Sequence, residues 1–100
     1  MLVQTYEYPG VTREQYERAF AALELNRDMP EGAVVHIAGE MPGGWRIIEV
    51  WETQEDFDRF HQEQLRHAHA ANDMELTEPV SVWDAHTVVT HGRWHHGVNQ

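Results

Sequence analysis

Residues 47–60 of the chain read IIEVWETQEDFDRF, and this stretch decides the fold. The run from Ile47 to Trp51 is mostly apolar and predicts a buried strand. Thr53, with Asp56 three residues later, forms a capping box that begins a helix. Phe57 and Phe60 then lie on one face of that helix. A buried strand therefore leads directly into a capped amphipathic helix.

The rest of the chain supplies the partners of this strand and helix. Alternating β-rich residues predict a first strand over 2–8, and Thr12 with Gln15 caps a helix that runs to about residue 26. Strands are predicted over 33–40, 45–52 and 79–90, and the second helix runs to about residue 72. The order βαββαβ is that of the ferredoxin-like α+β fold, a four-stranded antiparallel sheet with both helices on one face. We assign residues 1–90 to one domain and residues 91–100 to a polar, loose C-terminal tail.

The predicted sheet has apolar residues on both faces. The side chains of Val34 and Val35 point to opposite faces of the sheet, as do those of Ile47 and Ile48. Both faces of the sheet therefore require burial. One layer of helices covers only one face, and we expect a second copy of the chain to cover the other in a two-fold homodimer. The alternative is a monomer with a partly apolar open face.

Composition excludes several classes of function. The sequence has 17 acidic residues, seven arginines and no lysine, and its net charge of −10 disfavours nucleic acid and anionic membranes. It has no cysteine, which excludes disulfides, thiolate nucleophiles and cysteine-ligated metals. The first residues lack the features of a signal peptide, and no stretch is long enough to span a membrane. We expect a cytoplasmic protein.

Four features together resemble a known family. These are the order of elements, the turn-to-strand run Gly43–Arg46, the junction Val50–Thr53, and Phe57 with Phe60 in the helix. They resemble the dimeric α+β barrel superfamily and, within it, the small antibiotic-biosynthesis-monooxygenase-like proteins, over about residues 1–90. That resemblance implies a pocket inside each subunit. It leaves several activities open, because members include cofactor-free quinone-forming monooxygenases, polyketide cyclases and haem-degrading enzymes.

The haem-degrading branch matches this sequence poorly. Its members carry an asparagine on the first strand, where this chain has Gln4, and a tryptophan on the second helix, where this chain has Phe60. A histidine on that helix is matched approximately by His67 or His69.

Two histidines in strands are candidate general bases. If the hairpin pairs residues whose numbers sum to 85, His36 faces Glu49, and the carboxylate would favour a charged imidazole. The alternative is a core histidine with a satisfied hydrogen bond. His86 shares a face with Asp84, and its alternative is a solvated pair at the sheet edge.

Other side chains are candidates for binding a substrate, each with a plainer alternative. Tyr6 would donate to a carbonyl or phenolate, Arg46 would neutralise an anion, and His61 would project from the edge of the helix into a pocket. Trp51 and Trp83 would line an aromatic site, or else belong to the core or the dimer contact. We expect Tyr16 to be a core residue.

The leading hypothesis is a small cofactor-independent monooxygenase or cyclase acting on an aromatic or polyketide-like metabolite. In the oxygenase, His36 or His86 removes a phenolic proton and the anion reacts with oxygen, whereas in the cyclase the same base enolises a β-ketone. We predict no metal site, because the chain has no pattern of metal ligands on ordered elements. The alternatives are a haem- or small-ligand-binding protein, with His61 or His69 on the iron, and a non-catalytic structural dimer.

Overall fold

The computed structural model describes residues 1–22, 29–65, 77–90 and 93–96. The strands are β1 (Leu2–Pro9), β2 (Ala33–Met41), β3 (Gly44–Trp51), β4 (Ser81–Asp84), β5 (Thr87–Thr90) and β6 (Arg93–His96). The helices are α1 (Arg13–Ala22) and α2 (Gln54–Phe60), and a π-helical segment, His61–Leu65, continues from α2. Nothing in the described ranges forms a helix long and apolar enough to cross a membrane.

The main sheet has four antiparallel strands in the order β2-β3-β1-β4. This is the order expected of the ferredoxin-like fold, so the predicted fold class is confirmed. The hairpin register is also confirmed, because His36 lies opposite Glu49 and Gly39 lies opposite Arg46. The turn between β2 and β3 depends on Gly43, whose positive φ of 79° is a conformation that residues with a Cβ rarely adopt.

The larger core lies between the sheet and the helices. Trp51 on β3 contacts Phe57 and Phe60 of α2, with ring centroids 5.7 and 5.3 Å apart. The entry to α2 follows the predicted capping box, because the Thr53 hydroxyl accepts a hydrogen bond from the backbone N–H of Asp56 at 3.1 Å. The junction of β3 with α2 thus packs the apolar face of the helix onto the helix-covered face of the sheet.

The opposite face of the sheet carries a second, smaller core and is open in the single chain. Val3 and Val50 are buried there, and Val88 of β5 packs against them. Ile37 and Trp83 remain 54% and 56% exposed. Single exposed apolar residues are common, but here they border an apolar core, which is the pattern that led us to predict a covering partner.

The C-terminal part differs from the sequence prediction. The single strand predicted over 79–90 is interrupted at Ala85 and His86, and its second half, β5, pairs with β6 in a separate two-stranded sheet. Residues 93–96 were expected in a loose tail and are a strand instead, so that prediction is wrong for them. The break occurs where the Ala85 N–H donates to the Met1 carbonyl at 2.7 Å, the last link of β4 to the start of β1. The predicted helix ends near residues 26 and 72 lie outside the described residues.

Candidate functional site

A row of hydrogen-bonded polar side chains lies on the helix-covered face of the sheet. Tyr16 of α1 places its hydroxyl 2.7 Å from His36 Nε2, and His36 Nδ1 lies 3.2 Å from Glu49 Oε2. The other oxygen of Glu49 accepts a hydrogen bond from Trp51 Nε1 at 3.1 Å. We call Tyr16, His36, Glu49 and Trp51 the polar row. It confirms that His36 and Glu49 meet, and it leaves both nitrogens of His36 with partners.

The polar row is largely withdrawn from solvent. Glu49 is 7% exposed, and the ring of Phe20 covers His36 at a centroid distance of 5.4 Å. Burial, and secondarily the negative charge of Glu49, raise the pKa of Tyr16 from 10.0 to about 12. Tyr16 is therefore a neutral phenol at physiological pH and can donate to an unprotonated His36 Nε2.

Removing the Glu49 carboxylate should destabilise the protein strongly. Glu49→Ala leaves two buried donors, His36 Nδ1 and Trp51 Nε1, without their acceptor. We expect a loss of about 3–5 kcal/mol in the free energy of unfolding, measured by urea denaturation. The control is Glu7→Ala, which breaks an ion pair with the half-exposed Arg46 and should cost about 0–1 kcal/mol. Equal losses of unfolding free energy in the two variants would show that the polar row stabilises the protein no more than an exposed ion pair does.

The cavity beside the polar row is too small for an aromatic molecule. It is lined by His36, Glu49, Trp51 and Phe60 among others, and its volume is about 10 Å³. That is room for about one water molecule. Among the described residues, the cavity that His36 lines is therefore not large enough for a substrate.

A much larger cleft lies on the other side of α2. Its volume is about 360 Å³, within the usual range for small-molecule sites. The described residues that line it come from β1, α2, the π-helical segment and the approach to β4: Gln4, Tyr6, Gln54, Phe57, Asp58, His61, Thr77, Glu78, Pro79 and Val82. We call this space the cleft. It combines aromatic and apolar walls with a few polar groups, which is typical of ligand pockets.

The buried end of the cleft is formed by Gln4 and Tyr6. Both are 3% exposed, and the Tyr6 hydroxyl donates to Gln4 Oε1 at 3.2 Å. Because the Gln4 amide oxygen accepts the hydrogen bond from Tyr6, the orientation of the amide is fixed. The NH₂ group of Gln4 is then the part of the amide that can donate to a ligand. Gln4 also lies directly opposite Glu49 across β1 and β3, so the cleft adjoins the polar row.

The electrostatic field in the cleft is negative. The pKa of Tyr6 is raised well above its usual value, first by burial and then by the negative charges of Glu49, Glu78 and Asp58. Asp58 and Glu78 also line the cleft itself. A ligand with a full negative charge would be disfavoured here, and a neutral or cationic ligand would be accepted.

Among the described residues that line the cleft, the histidine is His61. It stands at the start of the π-helical segment, a type of distortion found often at functional sites. Its Nδ1 atom is buried and has no hydrogen-bond partner within the described part of the chain. An unsatisfied buried nitrogen costs about 1–3 kcal/mol, so a ligand or water that bonds to it gains affinity.

The remaining predicted site residues do not join the cleft or the polar row. Arg46 lies on the open face, where it pairs with Glu7 at 3.1 Å, and Trp83 is exposed opposite Val3. His86 is exposed in the break between β4 and β5. Its predicted partner Asp84 instead accepts a hydrogen bond from the amino group of Met1 at 2.9 Å.

The structure adds two residues that the sequence analysis did not select. Tyr16 was expected in the core, and Gln4 entered only as a mismatch to the haem-degrading proteins. The signal for Gln4 was its place on a strand face with Tyr6 and Tyr8. Within the described ranges, no group of three histidine or acidic side chains is arranged to hold a metal ion.

Comparisons with known proteins support the fold. No protein-family profile and no curated protein matches the sequence. One solved structure is similar over 92% of this chain and 98% of its own, with a TM-score of 0.55 and 17% sequence identity. That protein comes from Chloroflexus aurantiacus J-10-fl, and its assignment as an antibiotic biosynthesis monooxygenase is provisional. The chain has the same fold. The predicted α+β fold is thus supported by a solved structure as well as by the strand order.

The raised pKa of Tyr16 predicts a loss of stability in alkali. The unfolded chain releases this proton near pH 10.0 and the folded chain only near pH 12, so the stabilisation is complete below pH 10.0 and declines above it. Tyr16→Phe should remove up to about 1.4 kcal/mol per pH unit from that decline. Urea denaturation of both proteins at a series of alkaline pH values measures the slopes, and identical slopes would contradict the half-buried, neutral phenol.

Proposed function

We propose that the chain is a small cofactor-independent monooxygenase or cyclase that binds a neutral aromatic or polyketide-like molecule in the cleft. The observation that carries this is His61, whose buried Nδ1 lacks a partner in the described residues at the wall of a space large enough for such a molecule. The fold shared with a protein provisionally assigned as an antibiotic biosynthesis monooxygenase supports the same class of activity.

The proposed roles follow from what each group can donate or accept. An unprotonated His61 nitrogen accepts a proton from the substrate, and the imidazolium that results balances the anion. The Gln4 amide donates to a substrate carbonyl, with Tyr6 holding the orientation of that amide. Phe57 stacks against an aromatic ring. His36, one of the two bases expected from the sequence, and its partner Glu49 then support β3 rather than contact the substrate.

The oxygenase reaction needs only proton transfer and positioning. Once His61 has removed a proton, the substrate anion transfers one electron to dioxygen, and the resulting radical and superoxide combine into a peroxide. The peroxide anion takes the proton back from the His61 imidazolium, and the hydroperoxide then loses water to give a quinone. In the cyclase version, the same base forms an enolate from a β-ketone, and the α-carbon of this enolate attacks a second carbonyl.

The experiment uses a hydroxylated anthrone, whose anion reacts with oxygen, as the probe. Purified protein should accelerate oxygen consumption and quinone formation, and calorimetry should show binding of the quinone. Val82→Trp fills the cleft with a large ring and should abolish both. The matched control is Val80→Trp, because Val80 is also exposed but does not line the cleft. Activity that survives Val82→Trp would refute the cleft as the site.

A second candidate is a ligand-binding protein without turnover, favoured by the negative field around Tyr6. Asp58 and Glu78 would repel an anionic intermediate but would hold a ligand that carries a protonated amine. The cleft fits haem poorly, because these carboxylates would meet its propionates and no arginine is among the described lining residues. Binding of aromatic amines without anthrone oxidation would favour this candidate. If no ligand binds, the result would favour a non-catalytic structural dimer.

We also infer that two copies pair through the open face of the sheet. The apolar core formed by Val3 and Val50 continues there into the exposed side chains of Ile37 and Trp83. Covering this face with an identical face would complete the second apolar layer of the sheet.

A further inference from the structure

We propose that Tyr16 is a redox-active tyrosine, which gives its phenolic proton to His36 when a one-electron oxidant formed in the cleft takes its electron. It rests on the proposed function for its oxidant, whereas the test below supplies an oxidant directly and so distinguishes the two. The hydroxyl of Tyr16 lies 2.7 Å from His36 Nε2, which is the arrangement needed to move the proton as the electron leaves.

The proton and electron are both accounted for in this step. The phenol O–H bond of Tyr16 breaks and the proton binds His36 Nε2. The electron reduces the oxidant in a one-electron step, and Tyr16 is left as a neutral phenoxyl radical. The imidazolium is stabilised by Glu49, whose carboxylate lies 3.2 Å from His36 Nδ1. The oxidant is an organic peroxyl radical, formed when a substrate radical in the cleft adds dioxygen, and the electron reduces it to a hydroperoxide anion.

Tyr16 is better placed for this chemistry than Tyr6. Tyr6 donates to the amide oxygen of Gln4, which is far less basic than an imidazole and cannot take up a proton at neutral pH. Tyr16 has the base as its partner, and its pKa of about 12 keeps the phenol protonated until oxidation. The ring of Phe20 lies 5.7 Å from that of Tyr16 and shields it.

A series of aromatic rings connects the cleft to Tyr16. Tyr6 lines the cleft and stacks with Tyr8 at a centroid distance of 6.1 Å and an interplanar angle of 14°. Tyr8 lies directly opposite Trp45 across β1 and β3, where side chains on one face are in contact range. Trp45 stacks with Tyr16 at 5.1 Å. An electron can therefore move in short steps from Tyr16 towards the cleft.

The test places the oxidant at the cleft. Because the chain has no cysteine, Pro79→Cys provides a single attachment point at the cleft for a ruthenium polypyridyl photosensitiser. Light and a sacrificial electron acceptor then generate ruthenium(III), and electron paramagnetic resonance of freeze-quenched samples detects a tyrosyl radical. The chain has only three tyrosines, so the radical can be assigned by substitution.

We expect a tyrosyl signal that is lost in Tyr16→Phe and retained in Tyr6→Phe. Trp45→Phe should slow its formation by interrupting the series of rings, and Tyr8→Phe provides the same test if the tryptophan variant does not fold. His36→Gln should lower the yield, because glutamine cannot accept the proton. A signal that persists in Tyr16→Phe, or that forms at the same rate in folded Trp45→Phe or Tyr8→Phe, would overturn the proposal.

Discussion

His61→Gln is expected to lower kcat for anthrone oxidation by about 10²- to 10⁴-fold, the usual contribution of a general base. Glutamine keeps a hydrogen-bonding side chain of similar length but cannot take up a proton. KM should change little, because the apolar walls and the Gln4 amide still hold the substrate. Steady-state oxygen consumption at saturating substrate measures the effect.

Two matched histidine variants complete this experiment. His86→Gln changes an exposed histidine away from the cleft and should leave kcat unchanged. His36→Gln changes the histidine of the polar row and should lower stability more than kcat, because both ring nitrogens already have protein partners. A large loss of kcat in folded His36→Gln, with none in His61→Gln, would show that the general base is His36 rather than His61.

The second large effect concerns the dimer. Ile37→Glu should weaken self-association by about 100-fold or more, because an unpaired carboxylate would be buried against an apolar face. Sedimentation velocity over a range of concentrations measures the dissociation constant. Val80→Glu is the control, since Val80 is as exposed as Ile37 but precedes β4. A wild-type chain that stays monomeric at high micromolar concentration would contradict the proposed pairing.

The sequence was sufficient for the four-stranded sheet and for one contact of the polar row. The pairing of His36 with Glu49 followed from a short turn between two apolar strands, because hairpin register is set locally. The capping box at Thr53 was equally local. Features that depend on a few neighbouring residues were therefore predicted correctly.

The rest of the polar row and the cleft depend on how helices pack onto the sheet, which local patterns determine only in part. Tyr16 reaches His36 only because α1 lies over β2. The place of His61 on the edge of the helix predicted that it would project into a pocket, and it lines the cleft. Arg46 is a different case. It alternates with Trp45 and Ile47 on β3, so its place on the open face was available from the strand period.

The central claim is that the cleft beside Tyr6 and His61 binds the substrate. The most direct test is a nuclear magnetic resonance titration of histidine-labelled protein with the hydroxylated quinone, with signals assigned by the His61→Gln, His36→Gln and His86→Gln variants. We expect a saturable shift of the His61 imidazole signal, with His86 unchanged. Saturable binding that shifts His36 or His86 and leaves His61 unmoved would contradict it.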